Sequence, residues 1–158
     1  MRGRRFRPTK AGRFKPSLTE PERELLRSLP AQAEALLRSA DGSTRRLFPT
    51  AYPDDEEKEA EYRSLVGPSL MDHHRAALQA LAASADHEEI DLDEMHQWMA
   101  ALEGLRLVLG TQLDVSESTE DPADLDPDDP RGPRLTMYRY LSWLQDQMVV
   151  SLSESLTT

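Results

Sequence analysis

The chain contains no cysteine, which excludes disulfides, thiolate metal ligation and thiol redox chemistry within it. No apolar run approaches the roughly 18–20 residues of a membrane-crossing helix. The basic opening runs into Ser17-Leu18-Thr19-Glu20-Pro21, where a secretory signal would place its apolar segment. An organellar transit peptide would share the Arg-rich, acid-poor start, but three prolines within 21 residues oppose a helix there. A cytoplasmic location is the expectation. Also absent are a phosphate-cradling glycine loop, a GxSxG elbow and an HExxH pair. Aromatic residues make up only 6% of the 158.

What the chain has in quantity is charge of one sign. Against 19 Lys and Arg stand 29 Asp and Glu, a formal net charge of −10. The imbalance is uneven. Residues 1–16, MRGRRFRPTKAGRFKP, hold seven basic residues (Arg2, Arg4, Arg5, Arg7, Lys10, Arg13 and Lys15) and no acid. The remainder holds 12 basic against 29 acidic residues, a charge of −17. Within the head, Arg5-Phe6-Arg7-Pro8 recurs as Arg13-Phe14-Lys15-Pro16 around Gly12, which predicts two short arms joined by a glycine turn. Such a hairpin is marginal alone in water, so it must dock or stay mobile. Arginine interleaved with phenylalanine suits phosphate contact with base stacking, so all seven cations are candidate nucleic-acid contacts. Equally open is a head that only balances the acidic chain behind it.

After residue 18 the text is helical. Thr19-Glu20-Pro21-Glu22 carries the elements of a capping box. Leu25, Leu26, Leu29, Ala33, Leu36 and Leu37 follow at helical spacing, with Pro30 expected to kink or split the helix. A second helix is expected over 54–66, Gly67-Pro68-Ser69 should break it, and a third should span 69–84. A fourth begins after Asp91, with Met95, Met99, Leu102, Leu105, Leu109 and Leu113 on its inner face and Trp98 and Val108 widening it. Residues 114–133, acidic and proline-rich, read as a flexible loop, and a last helix covers 134–155. The expectation is a mainly α protein: a basic hairpin or arm over 1–18, then one five-helix, bundle-like domain over 19–158.

Candidate chemistry is sparse. His73 and His74 are adjacent and point about 100° apart on a helix, and no histidine has a second four residues on, so no metal or cofactor is expected. The acidic runs at 54–57 and 86–89 read as helix starts and solvated faces. No pattern specifies a catalytic pocket, and a non-enzymatic protein is expected. Arg106, between Leu105 and Leu107, has two readings: an anchor for a partner's carboxylate, or a cation paired with Glu103 at the edge of the stripe.

Five stretches carry a family likeness: ERELL at 22–26, FPTAYPDD at 48–55, EYRSL at 61–65, WMAALEGLRLVLGTQLDV at 98–115 and YLSWLQDQMV at 140–149. On them the chain resembles an actinobacterial family of domains of unknown function that includes an oxidative-stress transcriptional regulator. The resemblance implies a regulator in oxidative-stress and cysteine-biosynthesis control, acting with a stress sigma factor, RNA polymerase and promoter DNA. A cysteine pair would carry redox sensing in that setting, and this chain has none. A protein-interaction adaptor without a nucleic-acid role is the alternative.

Overall fold

A computed structural model describes residues 3–114 and 125–157. Among these, two short strands, β1 (Phe6–Pro8) and β2 (Phe14–Pro16), precede α1 (Glu20–Arg38), a 3-10 helix (Gly42–Leu47), α2 (Glu56–Ser84), α3 (Leu92–Leu113) and α4 (Gly132–Ser155). The protein is mainly α, with a short antiparallel hairpin at its N-terminal end. The stretch 115–124, half of the expected acidic loop over 114–133, lies outside the described residues. Its end is a tight turn, in which the Asp129 backbone N–H donates to the Asp126 carbonyl at 2.9 Å.

Side-chain caps start three of the four α-helices. The Thr19 hydroxyl accepts from the Glu22 N–H at 3.3 Å while Glu22 Oε1 accepts from the Thr19 N–H at 3.0 Å. Asp91 and Glu94 repeat this reciprocal cap at α3, and Asp55 caps α2. Pro30 does not split its helix, and the break expected at 67–69 does not exist. α1 continues through Pro30, and α2 is one helix of 29 residues through Gly67-Pro68. Proline removes one N–H and crowds the carbonyl four residues back. At Pro68 both that residue and Ser64 are exposed, so water can satisfy the freed carbonyl. The fifth helical segment is instead the 3-10 helix, inside residues 41–55, whose Pro, Asp and Gly content reads as a loop. Asp41 caps it, accepting from the Ser43 N–H at 2.9 Å.

The core is continuous from the hairpin to α4. Leu26, Leu37, Leu81, Met95, Trp98, Leu102, Leu141, Leu144 and Met148 are fully buried in it. The centre of the inner face of α3 is therefore Trp98, Leu102 and Leu105, with Met99 and Leu109 at its margin. All the buried residues of α2 (Ala77, Leu78, Leu81 and Ser84) lie in its C-terminal half. Trp98 donates its indole N–H to the Ser84 hydroxyl at 2.6 Å, which satisfies both polar groups inside the core. Among the described residues no helix is long and apolar enough to cross a membrane.

Candidate functional site

The hairpin docks through its aromatic residues. Phe6 and Phe14, placed by strand alternation on the inward face, are buried, and Phe6 meets the Trp98 ring edge to face at 6.0 Å. This overturns the stacking role read from the sequence: both rings belong to the core and neither is available to a base. Nor does the hairpin project. β2 is pinned on its far edge by Ile90, since the Phe14 N–H donates to the Ile90 carbonyl at 2.8 Å and the Ile90 N–H returns a bond at 2.9 Å. The turn is closed by Thr9 N–H to Arg13 carbonyl at 2.8 Å, with Gly12 at φ +77°. A side chain at Gly12 would be strained in that conformation.

With the phenylalanines inward, the cations face out. Arg2 lies outside the described residues. Arg4 pairs with Glu154 at 2.5 Å, Arg13 with Glu89 at 3.1 Å, and Lys15 approaches Glu89 at 4.0 Å. These pairs are well exposed, and surface ion pairs of this kind contribute about 0–1 kcal/mol. Arg5 differs. Its Nε reaches the Glu22 carboxylate at 3.2 Å in a pair only 19% and 12% exposed, and its guanidinium lies 5.3 Å from the Trp143 ring centre. Arg7 and Lys10 have no ion-pair partner among the described residues. Arg7 stands directly across the ladder from Lys15, a like-charge juxtaposition that destabilises a strand pair. Both line an open cleft of about 500 Å³ with Ser17, Arg23, Glu88 and Glu89. Arg23 braces its floor, donating to the Ala85 carbonyl at 2.7 Å and the Pro16 carbonyl at 3.4 Å.

Glu22 is the residue that sequence reasoning valued too narrowly. The capping-box pattern finds it, but its second carboxylate oxygen also accepts the Tyr140 hydroxyl at 2.6 Å. One side chain thus ties α1, the hairpin and α4 together. Burial acts to raise its pKa, but bonds from Tyr140, Thr19 and Arg5 outweigh this and hold the carboxyl below its ordinary range. Nothing in the spacing of residues 5, 22 and 140 could announce the knot.

Arg106 is held within the molecule. Its Nε donates to the Ser142 hydroxyl at 2.9 Å, its Nη1 to Gln145 at 2.5 Å and Glu103 at 3.2 Å, and the guanidinium lies over Tyr138. It clamps α3 to α4. His74 meets the Leu47 carbonyl at 2.9 Å, and no cluster of three metal-ligating side chains occurs among the described residues. Elsewhere, Glu59 gathers the 48–55 loop onto α2. Its Oε1 accepts from the Tyr52 N–H at 2.8 Å and the Ala51 N–H at 2.9 Å. The Tyr52 bond leads the causes that lower its pKa, ahead of the opposing effect of burial and the help of Ala51 and Arg63.

A helical domain with a docked, outwardly cationic hairpin and no gathered catalytic group among the residues above is the class that emerges. The chain belongs to the family described as Domain of unknown function (DUF2017), whose model matches residues 1–152. Proteins of Mycobacterium tuberculosis and Mycobacterium bovis, each named oxidative stress regulator AosR, are 30% identical to it over 135 residues. Those alignments cover 75% of this chain and 61% of each relative, so the chain spans about six-tenths of their length. No solved structure matches.

Proposed function

We propose that this protein is a non-enzymatic, transcription-associated regulator in an oxidative-stress and cysteine-metabolism setting. In this reading it contacts a sigma factor or RNA polymerase and meets DNA through the outer face of its hairpin. The names of the mycobacterial relatives support the regulatory setting. The observation that carries the DNA contact is the Arg7–Lys15 pair: two cations held side by side on a scaffold fixed by Phe6 and Phe14, with only Lys15 near a carboxylate among the described residues, Glu89 at 4.0 Å. A phosphate between them would relieve their mutual repulsion more fully than Glu89 does. Exposed partners such as Arg13 can turn from Glu89 to a phosphate without moving the backbone, whereas Arg5 belongs to the fold. With no thiol in the chain, any response to oxidant comes from a partner or another residue type.

The test is a salt titration of duplex DNA binding by the parent and an Arg7→Gln, Lys10→Gln, Arg13→Gln variant that spares Arg5. Each phosphate contact contributes about −0.9 to the slope of log affinity against log salt. The variant should lose most of that slope and retain its melting temperature. A parent with no affinity at low salt refutes the DNA contact, and a parallel assay with sigma factor and polymerase tests the protein contact separately. The adaptor reading is favoured by a different observation, the exposed Leu65 of α2, 73% accessible, beside the half-exposed Tyr52.

A further inference from the structure

The cleft beside the hairpin holds charges that do not meet one another. The bridge between Phe14 and Ile90 extends the hairpin ladder by one position, so Glu89 falls beside Lys15 and a row Arg7–Lys15–Glu89 crosses the outer face. Glu89 is committed: its Oε2 takes Arg13 at 3.1 Å and its Oε1 approaches Lys15 at 4.0 Å. Arg23, on the cleft floor, is placed by backbone carbonyls alone, those of Ala85 at 2.7 Å, His87 at 3.3 Å and Pro16 at 3.4 Å. A carbonyl orients a guanidinium but brings no opposite charge to it. Among the described residues neither Arg23 nor Arg7 has an ion-pair partner, in a chain with 29 acids to 19 bases. Glu88 lines the same cleft and has none either. Two cations and a carboxylate thus face one space of about 500 Å³ and stay apart across it.

We propose that this cleft binds a small phosphomonoester that also carries an ammonium group. The unpaired arginines select the phosphate. A phosphomonoester loses its second proton at about pH 6, so near neutrality it brings close to two negative charges for two cations. Its oxygens also match the donor fork of a guanidinium, and the exposed hydroxyl of Ser17 adds a further donor to the lining. Glu88 selects the ammonium. A ligand of negative charge alone would leave that carboxylate unpaired and repelled, whereas an ammonium a few bonds from the phosphate meets it while Arg7, Lys15 and Arg23 hold the oxygens. Size agrees, since small-molecule sites occupy about 300–1,000 Å³. The inference goes beyond the DNA contact and stands without it, because it rests on Arg23 and Glu88, which that contact does not use.

The test titrates the full chain with phosphoethanolamine, ethyl phosphate and ethanolamine, followed by proton–nitrogen correlation spectra that include the arginine Nε–H signals. Phosphoethanolamine should saturate, moving the Arg23 Nε–H and the backbone amides of Lys15, Ser17 and Glu88. Ethyl phosphate, which lacks the ammonium, should bind roughly tenfold more weakly, and ethanolamine should not bind measurably. Arg7→Gln should weaken phosphoethanolamine by about tenfold. Glu88→Gln, at an exposed position, should erase the preference for phosphoethanolamine over ethyl phosphate, which a purely structural role of Glu88 would leave intact. The proposal is overturned if the shifts do not saturate, if they spare Arg23, or if the parent binds the two phosphates alike. It is overturned equally if duplex DNA moves the Arg23 Nε–H at a lower phosphate concentration than phosphoethanolamine does, which would give the cleft to a nucleic-acid backbone. The phosphomonoester arms contain no DNA, so a chain that fails to bind DNA can still meet every expectation here.

Discussion

The hairpin and the 48–55 strap are both short, irregular segments laid onto helices, and they are attached in opposite ways. The hairpin buries its apolar residues and turns its charges outward. The strap turns its backbone polar groups inward, onto Glu59 and Arg63, and leaves Tyr52 exposed with Leu65 beside it. The first attachment draws on the hydrophobic effect, which is large and insensitive to salt. The second rests on hydrogen bonds whose net worth is modest, because the same groups bond well to water. A segment fixed by its phenylalanines can display cations, and one fixed by polar groups can display tyrosines.

This contrast should break most visibly at Phe6. Phe6→Ala removes a ring packed on Trp98 and should cost about 3–5 kcal/mol in denaturant unfolding, typical of a buried phenylalanine. A loss below 1 kcal/mol would mean the hairpin is a dispensable ornament. Next in size is Glu22→Gln. Because the folded-state pKa of Glu22 is lowered from about 4.5, its stabilisation is complete above that pH and is lost as pH falls through the lowered value. Parent and variant should therefore differ at neutral pH and converge in acid, measured as unfolding free energy between pH 2 and 7. Divergence that grows on acidification would contradict the knot.

Smaller still, Glu59→Ala should act on the strap alone. Amide exchange at Ala51 and Tyr52 should accelerate while the cooperative melting of the core barely moves. A large drop in global stability would show that strap and core are one unit. Least of all, Arg4→Gln and Arg13→Gln should each change stability by less than about 1 kcal/mol, as exposed pairs do, with the difference disappearing in high salt. A larger loss at either position would place its ion pair beside that of Arg5.

Where one residue decides its own surroundings, the sequence is readable. Thr19 and Glu22 announce the start of α1 because a cap needs only its own turn, and Leu26, Ala33 and Leu37 reveal the buried face by their spacing. The hairpin was legible for the same reason, from Gly12 and its flanking repeat. What could not be read depends on which side of the molecule faces water. Pro68 looks like a break until its exposure is known, and Phe6 looks like a stacking residue until Trp98 lies beneath it. Of the candidate site, the cations were visible and their pairing was not, since Arg4 meets Glu154 and Arg5 meets Glu22 and Gln147 only through tertiary structure.

The bridge between Phe14 and Ile90 bears on the order of folding. It closes only when the chain between α2 and α3 has taken shape, and the contacts of Arg4 and Arg5 with Glu154 and Gln147 wait for α4. Contacts so distant along the chain form late, because the entropy of closing the intervening loop precedes any return from the contact. The head is thus among the last segments to be secured. Until those distant segments take shape, Phe6 and Phe14 lack the cover of Trp98 and Ile90, and whatever shields them in that interval is part of how this protein reaches its native state.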